Sequence, residues 1–210
     1  RITKERDIPL IVDEVQTGIG RTGKLYAFEH ADIEPDVLVL SKAIGGSLPL
    51  SVVLYDKRLD QWEAGAHIGT FRGNQLAMAT GRATLQFIKQ ENLPAHAHEL
   101  GAYIQSQLRH IQKQVLSIGD VRGRGLMLGV EIIDATKPAN KIGSHPANGE
   151  LAKLIQKECF DRGVILEVGG RHGAVIRLLP PLILTKQQTD EILTKFEEAV
   201  KAAEEKWVNK

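Results

Sequence analysis

The sequence has one cysteine, Cys159, in 210 residues. That excludes an intrachain disulfide and agrees with a reducing compartment, so a cytoplasmic location is expected. No apolar run is long enough to cross a bilayer, and the first residues do not form a signal peptide. No membrane partner is expected. Charge of one sign is also lacking: Lys+Arg number 27 and Asp+Glu 26, leaving a net charge of +1. This argues against a general polyanion-binding surface and against a nucleic-acid partner. Arg122 and Arg124 lack the interleaved aromatics that base stacking would need. The seven histidines form no metal-ligand spacing, so no metal is expected. There is no initiator methionine. Arg1–Arg6 is a charged run, and Pro9–Val12 already reads as a strand entering a core. The chain is therefore expected to be the later part of a longer one, with a sheet completed from elsewhere.

What is present is glycine, 20 in all, against a background that is 42% hydrophobic. The glycines fall at breaks between apolar runs, as in an enzyme with many βα loops. Leu10–Val12 reads as a parallel-type core strand that ends in Asp13-Glu14. A glycine-punctuated loop, residues 15–23, follows. It lacks the lysine and spacing of a phosphate loop. Val37–Leu40 is a second buried strand, and Leu48–Tyr55 a third. A polar turn, residues 67–74, precedes a helix over 74–90 with a face of small residues. That face suits close packing, within the chain or against a second subunit. Pro94 marks the next boundary. Glu99–Val115 is amphipathic. Two strands fit Gly119–Ile133, a helix Glu150–Arg162, and strands Gly163–Val168 and Ala174–Leu178. Thr185 caps a final helix over 186–206. The expected organisation is α/β for residues 1–93 and a two-layer α+β unit for 94–210.

Four residues suggest chemistry. Lys42 stands at the mouth of a buried strand, where desolvation would favour a neutral, nucleophilic amine. A solvated structural lysine is the alternative. Asp13 closes another strand, where open α/β sheets bind ligands. A helix-cap or turn role is the alternative. Thr70 lies in a turn that suits an anion next to a helix start. Arg177 sits between Ile176 and Leu178, as a carboxylate anchor or a strand-edge residue. An amine, a carboxylate, an anion site and a second cation together match pyridoxal phosphate chemistry. Cys159, beside Phe160, reads as a small buried hydrophobe and not as a reactive thiol.

The stretch Ile11-Val12-Asp13-Glu14-Val15-Gln16-Thr17-Gly18-Ile19-Gly20-Arg21-Thr22-Gly23, with Ser41-Lys42-Ala43-Ile44-Gly45-Gly46, resembles the signature of the class III (ω-type) aminotransferases. The likeness continues through Gly69-Thr70-Phe71-Arg72-Gly73-Asn74, Val121–Met127, and Arg177 before Pro180-Pro181. It implies the pyridoxal-phosphate transferase fold type I, with the C-terminal part of a large cofactor-binding domain followed by a small domain. By the same resemblance Lys42 would carry the cofactor and shuttle a proton, and Asp13 would pair with its pyridine nitrogen. Gln16 would sit by its 3′-oxygen, and Thr70 would bind the phosphate in the neighbouring subunit of a homodimer. Arg177 would hold the α-carboxylate of 2-oxoglutarate or glutamate. Pro49-Leu50 and residues 67–75 look most like the branch that moves the terminal amine of L-2,4-diaminobutyrate to 2-oxoglutarate. Its products are L-aspartate 4-semialdehyde and L-glutamate.

Members of that family are roughly twice this length. Their earlier half supplies a phosphate turn, a ring-stacking aromatic and a glutamate that gates the substrate arginine. The competing readings are a 4-aminobutyrate or ornithine aminotransferase, a racemase-like member, or an inactive fragment acting only as a packed assembly module.

Overall fold

The computed structural model describes residues 1–209. The chain divides into two compact units, one over Arg1–His96 and one beginning at Ala97.

The first unit holds α1 (Ile2–Glu5), β1 (Ile11–Asp13), β2 (Val37–Leu40), β3 (Val52–Tyr55) and α2 (Gln75–Gln90). The sheet order is β1-β2-β3. β1 runs parallel to β2, with Asp13 beside Val39, and β3 is antiparallel to β2. β2 alternates as its sequence asks: Leu38 and Leu40 are buried, Val37 and Val39 half-buried. β3 starts at Val52, later than expected, beyond Pro49, which has no N–H to give a ladder. Among the described residues β1 lies at the sheet edge, and Ile11 is 64% exposed. Asn74 caps α2, its side chain accepting from the Ala77 amide at 3.1 Å. Of the small residues on α2, Ala77 and Gly81 pack within the chain, while Ala79 and Ala83 are exposed. A Cβ on Gly81 would lie 2.7 Å from the Ile44 carbonyl oxygen.

α3 (Leu93–Gln112) opens with Pro94 inside its first turn, where a missing N–H costs nothing, so the helix starts earlier than its apolar periodicity suggested. The second unit continues with β4 (Ile118–Arg124), β5 (Met127–Ile132), α4 (Gly149–Asp161), β6 (Glu167–Gly169), β7 (Val175–Leu178) and α5 (Lys186–Val208). The sheet is antiparallel throughout, in the order β4-β5-β7-β6. Leu128, Val130, Ile132, Ile176 and Leu178 of the sheet share one core with Ile104 and Leu108 of α3, Ile155 of α4, and Phe196 and Val200 of α5. β4 and β5 meet in a tight turn at Gly125 (φ +53°), packed so closely on α3 that a Cβ on Gly101 would lie 2.0 Å from the Gly125 carbonyl oxygen. The strand expected over Gly163–Val168 is reduced to Glu167–Gly169, because Gly163 (φ +80°) ends α4 in a left-handed conformation and the chain must first turn back. Thr185 and Gln188 form a reciprocal capping box at the start of α5.

Candidate functional site

β1 and β2 are parallel, so their C-terminal ends open on the same edge of the sheet. Asp13 is the last residue of β1, and Lys42 stands two residues beyond the end of β2. Both side chains are exposed. The ends of parallel strands are where open α/β sheets take ligands. Asp13 Oδ1 accepts the Val15 amide hydrogen at 2.9 Å, so this carboxylate also shapes the turn after β1. Lys42 has φ +49°, an uncommon left-handed setting for a residue with a side chain. Its neighbours hold it there. The Ser41 hydroxyl donates to the Leu50 carbonyl at 3.1 Å, and the Thr80 hydroxyl donates to the Gly45 carbonyl at 2.9 Å. Gly46 (φ +64°) sits against α2, where a Cβ would come within 2.5 Å of Thr84 Oγ1. The glycine pair therefore lets the short turn Lys42–Gly45 lie directly on α2.

The desolvated lysine expected from the apolar strand is not found. The strand's buried residues point into the unit, whereas Lys42 lies past the strand end on the uncovered edge and is exposed.

Asp13 and Glu14 have different surroundings. Glu14 is 1% exposed. Its carboxylate accepts from the Thr17 hydroxyl and from the Phe28 amide, the latter at 2.8 Å. It ties the glycine-rich loop back to the strand. The change of face between adjacent residues is the signal in the sequence that separates an exposed carboxylate from an inward one. Gln16 is exposed in the same loop. Thr70 is exposed in a turn closed by the Arg72 amide donating to the Gly69 carbonyl at 3.1 Å. The Arg72 guanidinium binds the His67 carbonyl oxygen and stands 2.8 Å from His67 Nδ1.

Arg177 belongs to the second unit. It lies on β7, half-buried, with its guanidinium 3.1 Å from the Glu167 carboxylate on β6. Glu167 carries no local motif in the sequence that marks it. The signal was available only as strand pairing, because ten residues and a tight connection separate the two. Both residues are among those lining a cavity of about 600 Å³, whose other walls include Ile104, Val164, Pro180 and Ile192. Among the described residues no group of histidines, cysteines and carboxylates could hold a metal ion.

The site therefore offers an exposed amine and an exposed carboxylate on neighbouring strand ends. An amine so placed can condense with a carbonyl once it is unprotonated.

The family model for aminotransferase class-III matches residues 1–200. The chain is 54% identical over 192 residues to a diaminobutyrate–2-oxoglutarate aminotransferase of Rhizobium meliloti, covering 91% of this chain and 41% of that protein. It is 47% identical over 199 residues to the enzyme of the same name from Haemophilus influenzae, covering 95% of this chain and 44% of that one. Among solved structures, an acetylornithine aminotransferase from Elizabethkingia anophelis matches with a TM-score of 0.83 at 32% identity, over 96% of this chain and 47% of that chain. The chain thus spans less than half the length of these relatives. The fold expected from the sequence, α/β of the pyridoxal-phosphate transferase type I, is the one these likenesses support.

Proposed function

The chain belongs to the class-III aminotransferases, and from that premise we propose that its protein moves the terminal amine of L-2,4-diaminobutyrate to 2-oxoglutarate. The products would be L-aspartate 4-semialdehyde and L-glutamate. One observation carries the chemistry: Asp13 and Lys42 leave neighbouring parallel strands at the same end, with both side chains exposed. The 54% and 47% identities to two enzymes named for this reaction support the choice of donor.

The residues present fit pyridoxal phosphate, because this strand edge presents an amine for an aldehyde and a carboxylate for a pyridinium nitrogen. When bound, that cofactor withdraws electrons from the carbon bearing the transferred nitrogen. Lys42 would hold it through Nζ. The same nitrogen, once released, would take a proton from the terminal carbon of the donor and later deliver one. Asp13 would keep a proton on the ring nitrogen through its negative charge. Gln16 would lie by the 3′-oxygen. The Thr70 hydroxyl would bind the phosphate, and Arg177 would hold a substrate carboxylate with its planar fork.

In this reading residues 1–93 form the later part of a large cofactor-binding domain and residues 94–210 a small domain. The protein works as a homodimer that shares its sites, in the cytoplasm. The exposed Leu76 and Met78 on α2 are consistent with a covering subunit. No helix among the described residues is long and apolar enough to cross a membrane.

The test is a donor screen on the intact enzyme, following glutamate formation from 2-oxoglutarate. L-2,4-diaminobutyrate should give the highest kcat/KM. An equal or higher value with 4-aminobutyrate or ornithine would replace the donor while leaving the reaction class in place.

A further inference from the structure

The turn that carries Thr70 is braced from within. The Arg72 amide donates to the Gly69 carbonyl at 3.1 Å, which closes the chain around Thr70 and Phe71. The Arg72 side chain then folds back across the turn. A Cβ on Gly69 would lie 3.2 Å from both Cγ and Nε of Arg72, so glycine leaves room for the arm to pass. The guanidinium ends on His67. It donates to the His67 carbonyl oxygen and to Nδ1, the latter at 2.8 Å. A guanidinium has donors only, so Nδ1 must offer its lone pair. The His67 ring stands edge-on to Trp62, with centroids 4.4 Å apart and planes at 88°. Trp62 Nε1 donates to the Tyr55 hydroxyl at 3.1 Å, and Tyr55 is the last residue of β3. A line of contacts thus runs from the sheet to the turn through Tyr55, Trp62, His67 and Arg72. Thr70 stays exposed within this frame.

We infer that His67 is a positioning residue for the phosphate turn: its Nδ1 and carbonyl oxygen hold Arg72 as a strut that sets the Thr70 hydroxyl in place. This rests on the reading above, in which Thr70 binds the cofactor phosphate. Arg72 is the one arginine or lysine of residues 67–74. A guanidinium beside a phosphate turn could serve as a direct ligand. Here its fork is aimed at two acceptors of one residue, a match that a point-charge ammonium does not make. Arg72 therefore shapes the turn and does not fill it. The brace has a physical use. The turn lies between Gly65 (φ +85°) and Gly73 (φ +68°), where the chain has little restraint of its own. Without the brace, these residues would have to be ordered as the phosphate binds, at a cost in affinity. His67 and Arg72 remove part of that cost beforehand. The effect falls on the phosphate of the cofactor and not on its ring.

The experiment is equilibrium titration of the intact enzyme, freed of cofactor, with pyridoxal 5′-phosphate and separately with pyridoxal, which lacks the phosphate. His67→Ala should raise the Kd for pyridoxal 5′-phosphate by roughly three- to tenfold, the scale of one or two solvent-open hydrogen bonds, and leave that for pyridoxal within about twofold. His67→Asn, whose Oδ1 can accept in place of Nδ1, should restore most of the affinity. Arg72→Lys keeps the charge and loses the fork, so it should behave as His67→Ala does. An unchanged Kd in His67→Ala, an equal loss for both ligands, or a loss that His67→Asn does not restore overturns the proposal. So does full affinity in Arg72→Lys, which would make Arg72 a simple counter-charge. Thr70→Ala tests the underlying reading separately. It should weaken pyridoxal 5′-phosphate and spare pyridoxal. If it changes neither, the turn is not the phosphate site and the proposal falls with it. If Thr70→Ala behaves as expected while His67→Ala binds normally, the phosphate site stands and the role of His67 falls.

Discussion

The Glu14 carboxylate accepts the Phe28 amide hydrogen at 2.8 Å, closing a loop of glycine-rich chain onto the end of β1. The carboxylate is buried, and the Thr17 hydroxyl donates to its other oxygen. Glu14→Ala should leave the Phe28 amide without this partner. A destabilisation on the order of 2 kcal/mol is expected. The denaturant midpoint of the intact protein checks it. A change below about 0.5 kcal/mol would mean that the loop is not held by this carboxylate.

Strand cores such as Leu38 and Leu40, the Asn74 and Thr185 caps and the stripes of α3 and α5 follow from local pattern and side-chain chemistry. The candidate residues Asp13 and Lys42 were legible because both close strands. Their common edge depends on the parallel register of Ile11 with Val37, a contact across 26 residues. The Arg177–Glu167 pair depends likewise on β6–β7 pairing. The exposure of Ile11 and Lys42 could not be read from apolar runs, because a run states what can be buried and not what is present to bury it.

Gly101→Ala should destabilise the second unit strongly. The added Cβ would sit 2.0 Å from a backbone oxygen of Gly125, which cannot rotate away as a side chain could. Overpacking of this kind costs about 3 kcal/mol or more. Gly143→Ala is the comparison, because nothing lies within 4 Å of its added Cβ and only its positive φ, +82°, opposes the change. Thermal unfolding should separate the two variants by several degrees, with Gly101→Ala the lower. Equal melting temperatures would show that α3 and the β4–β5 turn can move apart at little cost.

Cys159 should be unreactive in the folded protein. It is wholly buried, and burial pushes its thiol up to about 12. Alkylation by iodoacetamide at pH 8 should therefore follow unfolding and accelerate sharply with denaturant. The pH dependence has a definite sign. The folded state holds the thiol proton more tightly than the unfolded one, so this contribution is intact below about pH 9 and is lost as pH rises toward 12. Cys159→Ala should flatten that alkaline slope of stability. Rapid labelling under native conditions would contradict the burial.

Thr70 and Lys42 test the shared site proposed for the dimer. Thr70→Ala should weaken cofactor binding, and Lys42→Ala should abolish turnover. Mixed dimers of the two variants should recover part of the activity if one subunit's Thr70 serves the other's Lys42, because one site of the two then has both. Formation of heterodimers with no recovery would confine Thr70 to its own subunit.

Lys42 carries the most specific expectation. Its backbone is held in a left-handed conformation between the Ser41 hydroxyl bond to Leu50 and the close packing of Gly45 and Gly46 on Leu50 and α2. Rigid chain at this point delivers the amine to the edge where Asp13 also ends its strand. A solvated structural lysine would need none of this support. Lys42→Arg keeps the cation and removes the usable nucleophile, since guanidinium stays protonated. The variant should fold with a near-normal melting temperature and fall by at least about a thousandfold in kcat, the scale expected when a group that both binds and moves a proton is lost. Borohydride reduction of the intact holoenzyme, followed by digestion and mass spectrometry, should place a phosphopyridoxyl group on Lys42. An adduct on another lysine, with Lys42 unmodified, would move the chemistry away from this strand edge and remove Asp13 from it as well.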